Sequence, residues 1–174
     1  LAGTFELQTN GEIIAARRVR GQTLIVTSTD AHVANFIGPP LAYGFERVGT
    51  GCGCISRNAL VSADKIAVWM GENSFFMYDG FVKPIPCDVS DYVFSRLNTA
   101  QRAKVWSQHN PDFGEVTFHY PASTEVDSYV TFNYRENHWS IGTSNRTTGV
   151  SADVYLNPIR VASDGFLYEH EVGF

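Results

Sequence analysis

The pattern that most constrains this chain is a run alternating apolar and polar residues, paired with a second such run across turn-forming residues, and occurring four times. A period of two puts every second side chain on one face of a strand, and it conflicts with the 3.6-residue period of a helix. The first pair covers 23–27 and 32–37, split by Ser28, Thr29 and Asp30. The second covers 66–70 and 74–78 around Gly71, Glu72 and Asn73. The third is a meander of three runs, 115–120, 128–134 and 139–142, with a longer loop at 121–127 and a turn at 135–138. The fourth joins 159–162 to 166–170 through Ser163, Asp164 and Gly165.

Aligned on Phe36, Tyr78, Tyr134 and Tyr168, taken as inner-strand aromatics, the units recur at intervals of 42, 56 and 34 residues. Blades of a β-propeller repeat at about 40 to 50 residues. The long interval has a local cause. Between 88 and 105 the alternation fails, and Val89, Tyr92, Val93 and Leu97 fall at helical spacing, with Ser90 and Asn98 as expected caps. The expected fold is therefore mainly β, a propeller-like array of antiparallel hairpins with a short helical insertion at 88–105. A sandwich of irregular hairpins is the alternative. A chain of 174 residues buries one core, so 1–174 reads as a single mainly β domain. The content of 13% aromatic residues and 15 glycines against only 18% charged residues fits strands and turns. Trp69 and Trp139 are the bulky residues expected between sheets. The first residue, Leu1, is not Met, which reads as a piece of a longer product.

Charge and motifs restrict the function classes. The net charge is −5, with seven basic and seven acidic residues in 1–87 but six and eleven in 88–174. That sign disfavours binding to nucleic-acid phosphates. Neither an apolar run long enough to span a bilayer nor a signal-type start occurs. Cys52, Cys54 and Cys87 form an odd set, and the single-residue gap between the first two strains a mutual disulfide. The expectation is a tight buried turn around Gly51 and Gly53, with neither metal nor disulfide. The nucleophile-elbow, zinc-protease and dinucleotide-binding motifs are missing, and GTGCG at 49–53 does not match the last of these. Glu115 and Asp127 are the one conceivable glycosidase pair. The steps Asp79-Gly80 and Asp164-Gly165 read as turns. The sequon at Asn145 matters only in a eukaryotic secretory route. No catalytic residue and no cofactor is expected. Arg17, Arg18 and Arg20 form the single basic cluster. In a strand Arg18 and Arg20 share one face and Arg17 takes the other, so the expected partner contact lies there.

Six strings follow one another in a specific order: LQTNGEIIAARRVRGQTLIVTSTD at 7–30, YGFERVGTGCG at 43–53, WMGENSFFMYDG at 69–80, PIPCDVSDYVF at 84–94, FNYRENHWSIGTSNRTTGV at 132–150 and DGFLYEHEVG at 164–173. Together they resemble a family of tailed-bacteriophage tail proteins of the tail-tube or nozzle kind. The resemblance implies a virion component made in the bacterial host cytoplasm, with a propeller-like body. It also implies other tail subunits as partners, in a homo-oligomeric ring around the channel. It carries no catalytic motif. An acidic wall would let DNA pass without sticking. The alternative is a glycan-binding or glycan-cleaving host-attachment module, motivated by the 12 Phe, 8 Tyr and 3 Trp.

Overall fold

A computed structural model describes residues 4–150 and 155–173; Leu1 lies outside them. Among the described residues fifteen strands make four antiparallel sheets, each a meander in chain order. Sheet one contains β1 (Ile13–Val19), β2 (Gln22–Thr27), β3 (Asp30–Gly38) and β4 (Ala42–Thr50). Sheet two contains β5 (Leu60–Ala63), β6 (Ile66–Met70), β7 (Phe75–Tyr78) and β8 (Val82–Ile85). Sheet three contains β9 (Trp106–Asn110), β10 (Glu115–Pro121), β11 (Val126–Asn133) and β12 (His138–Thr143). Sheet four contains β13 (Thr148–Val150), β14 (Ile159–Val161) and β15 (Leu167–Glu169). The first two expected units are the middle strand pairs of sheets one and two, the third is β10 to β12 and the fourth is β14 with β15, the last strand of each of these two being an edge. The fold is mainly β, as the alternation requires. Among the described residues the sheets do not close into a barrel or a propeller.

The sheets meet in order through their first strands: β1 lies against β5, β5 against β9, and β9 against β13. The four alignment aromatics fall on or directly after the third strand of each sheet, an interior strand in sheets one to three and the edge strand in sheet four. Their environments also differ. Tyr78 is buried, Tyr134 is half-buried, and Phe36 is 72% exposed. The pattern records strand periodicity there and not a shared packing role.

One apolar cluster spans sheets one, two and three, with Leu24, Val33, Leu60, Trp69, Phe75, Phe118 and Phe132 fully or nearly fully buried. Trp69 on β6 stacks on Phe76 at 5.8 Å and donates its indole N–H to the carbonyl of Cys52 at 2.7 Å. Trp139 on β12 reaches the neighbouring sheet, packing on Phe75 of β7 at 4.6 Å and donating to the Pro86 carbonyl at 2.8 Å. Trp139 therefore lies between sheets two and three, whereas Trp69 contacts Phe76 of its own sheet and the Cys52 segment. Sheet four differs: among its described residues and loops only Pro158 and Ala162 are buried.

The break in alternation becomes helix α1 (Ser90–Arg96) and a 3-10 turn, Thr99–Lys104. Val93 supplies the buried contact of α1. Asn98 caps the 3-10 turn by accepting from the Ala100 N–H at 3.1 Å. Ser90, expected as a cap, is instead the first residue of α1. Val89 takes the capping position without a side-chain bond, as an apolar side chain must.

The cysteine segment is tied to the β2–β3 turn. The Cys52 N–H donates to the Thr29 carbonyl at 3.0 Å, and the Cys54 N–H to the Thr27 carbonyl at 3.0 Å. Gly53 passes so near the Ser28 carbonyl that no β-carbon fits. The expected buried turn is therefore present, and all three thiols are free.

Candidate functional site

Residues of sheets one, three and four, with Asn58 just before sheet two, line a cavity of about 540 Å³. Arg17 of β1 enters from sheet one, Asn58 from the segment before β5, Trp106 and Ser107 from β9, and Thr148 and Gly149 from β13. A parallel bridge between Asn58 and Trp106 fixes sheet two to sheet three at this point. Both the N–H and the hydroxyl of Ser107 donate to the Asn58 carbonyl, at 2.8 and 2.9 Å. Gly149 packs against the cavity's indole, since an added β-carbon would sit 3.1 Å from Trp106 and 2.9 Å from the Arg160 side chain.

The charges around the cavity do not cancel. Lys104 is engaged by the Glu125 carboxylate at 2.7 Å and the Thr124 carbonyl at 2.6 Å. Arg17 is exposed, donates only to the Ala16 carbonyl at 2.9 Å, and has no carboxylate partner among the described residues. One positive charge is left over at the rim.

The basic cluster is only partly brought together. Arg17 lies at the cavity, and Arg18 is an exposed neighbour whose backbone carbonyl accepts from the Ser62 hydroxyl at 3.1 Å. Arg20 does not share a strand face with Arg18. It sits beyond the end of β1, in the two-residue turn to β2, with a φ of 54°. The turn-forming Arg20-Gly21 step breaks the alternation on which the shared face depends.

Behind the cavity, β9 and β10 pair Trp106 with His119, and the two rings stack with centroids 4.1 Å apart. The Trp106 indole N–H donates to the Arg146 carbonyl at 2.9 Å. Gln108 joins sheets three and four, donating to the Val150 carbonyl at 2.8 Å and accepting from Arg160 Nε at 2.9 Å. Arg146 Nε donates to His170 Nε2 at 2.9 Å. Burial holds His119 well below the ordinary imidazole range, helped by Arg160, His170 and Arg146. His170 is pushed down to about 4, by burial and then by the two arginines. Both histidines are neutral at pH 7.

Other expected candidates disperse. Glu115 pairs with Asn133 at one end of the β10–β11 ladder, whereas Asp127 lies at the other end, beside the Pro121–Val126 pair. Six residues of strand separate carboxylates by roughly 20 Å, beyond the glycosidase range. Asp127 instead organises its loop, accepting from the Ala122 N–H at 2.8 Å and the Ser123 hydroxyl at 2.7 Å. Burial pushes all three thiols up to about 11, so none is a nucleophile at neutral pH. Among the described residues no three His, Cys, Asp or Glu side chains converge to hold a metal, and no helix is long and apolar enough to cross a membrane. Sequence reasoning found Arg17 but missed Asn58, Trp106, Ser107 and Gly149. They lie just before or on short polar strands that carry no alternation signal.

No family model matches the chain, and no curated protein matches it.

Proposed function

We propose that this chain is a propeller-like sector of a bacteriophage tail component of the tube or nozzle kind, acting by assembly and not by catalysis. The observation that carries this reading is the repeated meander: three four-stranded sheets and a three-stranded one whose first strands lie side by side in chain order, as blades do around an axis. The order of the six tail-like strings supplies the phage context. Sheet four has three strands and leaves β15 at an open edge, with Phe166 and Leu167 exposed beside it. Such an edge accepts a strand from a neighbour. The test is electron microscopy of purified virions with an antibody against this domain. Label on the tail is the expected result, and unlabelled virions overturn the reading.

One observation favours a second reading, a glycan-binding module. The cavity lies between residues of sheets one, three and four, and hydroxyl and amide groups of Ser107, Thr147, Thr148 and Asn58 are among its lining.

A further inference from the structure

We infer that the cavity between sheets one, three and four binds an acidic saccharide of the uronate type, with Arg17 as the carboxylate anchor. This rests on the glycan reading and names its ligand class; the assembly reading is independent of it.

Three observations carry it. The volume of about 540 Å³ lies inside the range of about 300 to 1,000 Å³ typical of small-ligand sites. The charge is specific: the Glu125 carboxylate is already held by Lys104, so the guanidinium of Arg17 is the cation left to receive an anion. Its planar fork suits a carboxylate, which it binds by two parallel N–H···O bonds. The remaining lining is built for hydroxyls. Ser107 and Thr147 donate their own hydroxyl protons to the Asn58 and Val161 carbonyls, which leaves their oxygens as acceptors. Asn58 and Thr148 also line the space.

An acidic peptide fits the lining less well. A peptide strand binds through a row of open backbone groups. Here the Asn58 carbonyl already accepts from Ser107, and the Thr147 N–H already donates to the Val161 carbonyl at 2.8 Å. Beside the paired Lys104 and Glu125 and the apolar Ala103, Trp106 and Val126, side-chain hydroxyls, an amide and one guanidinium remain, groups that a sugar acid can use.

Calorimetry of the full chain with D-glucuronate, D-glucose and acetate tests the inference, with chemical-shift changes at the Trp106 indole N–H locating the site. Glucuronate is expected to bind about tenfold more tightly than glucose or acetate, the order of one charge-assisted hydrogen-bonded contact. Arg17→Gln should reduce glucuronate to the glucose level. Arg18→Gln, one residue along the same strand, should leave it unchanged. Both positions are exposed, so both variants should fold, as thermal melts will verify. The inference is overturned if glucuronate binds no better than glucose, if acetate matches it, if Arg17→Gln binds as the wild type does, or if the Trp106 signal does not move. Equal binding of glucose and glucuronate at this signal would overturn the acidic ligand while keeping the glycan reading. Loss of all sugar binding would overturn both.

Discussion

The imidazole of His119 lies flat on the indole of Trp106, with centroids 4.1 Å and planes 6° apart. The contact joins neighbouring strands of sheet three beside the junction with sheet four. Neither ring nitrogen of His119 has a hydrogen-bond partner among the described residues. Protonation there would place a charge in an apolar stack facing Arg160 and Arg146.

Stability should therefore fall on mild acidification. The folded state holds His119 and His170 below the ordinary value of 6.5, so between that value and the folded pKa the unfolded chain binds more protons. Their contribution is complete above about pH 6.5 and is lost as the pH falls, for His170 through about 4. Asp79 and Asp127, both lowered, add their losses only below the ordinary carboxylate value of 3.8. Glu115, raised by burial, works in the opposite direction. Urea unfolding at pH 5 should show a lower midpoint than at pH 7.5, and His119→Phe should flatten the difference while keeping a ring on Trp106. An unchanged pH slope in that variant would remove His119 from the account.

Trp69 carries both packing and a hydrogen bond, since its fully buried indole touches Phe76 and holds the Cys52 carbonyl. Trp69→Ala should cost about 3 to 5 kcal/mol, a large share of a domain stability near 5 to 15 kcal/mol. Trp69→Phe retains most of the apolar contact and should cost about 1 to 3 kcal/mol, largely from the carbonyl left unpaired. Equilibrium denaturation separates the two, and equal costs would make the hydrogen bond irrelevant.

How much of this was legible follows from where periodicity survives. The middle strands β2, β3, β6, β7, β10 and β11 face packed neighbours on both edges, and their alternation located them to within two or three residues. Flanking strands such as β8, with Lys83 and Pro84, and β9, with Ser107, Gln108 and Asn110, face solvent or a cavity. Their side chains answer to those surroundings, so no apolar rhythm marks them. The site suffers for the same reason. Arg17 was visible as a charge in a cluster, but the residues that meet it come from chain positions up to 149, and only sheet-to-sheet packing brings them together.

The turn at Gly53 should tolerate no side chain. A β-carbon there overlaps the Ser28 carbonyl, and backbone on both sides is fixed by the bonds from Cys52 and Cys54 to the β2–β3 turn. Gly53→Ala should destabilise by more than about 2 kcal/mol, in the class of strain at a close backbone approach. A variant melting within a degree of the wild type would mean that this turn can shift freely.

The thiols should be silent in the native protein. With Cys52, Cys54 and Cys87 pushed up to about 11, a thiol reagent at pH 8 should label them slowly, and full labelling should require denaturant. Reductant and chelator should leave the melting temperature unchanged. Rapid native labelling of Cys87, the least buried of the three, would show that the segment before α1 opens on its own.

Sheet four should be the first part to open. Sheets one to three share an apolar cluster, whereas sheet four is joined to sheet three by polar contacts: Gln108 to Val150 and Arg160, Asn110 to Glu171, and the Trp106 indole to Arg146. A hydrogen bond exchanged with water contributes only about 0.5 to 1.5 kcal/mol net, so such a junction opens at lower cost than burial of several large side chains. Native-state hydrogen exchange should find the amides of β14 far less protected than those of β6 and β10, with exchange through local opening and not global unfolding. Acidification to pH 5 should widen that gap, because opening frees His170, held at about 4 beside Arg146 and Arg160, to take up a proton at its ordinary value of 6.5. Equal protection in β14 and β10 would place sheet four within the cooperative core, and would also remove the open, partner-seeking edge from the assembly reading.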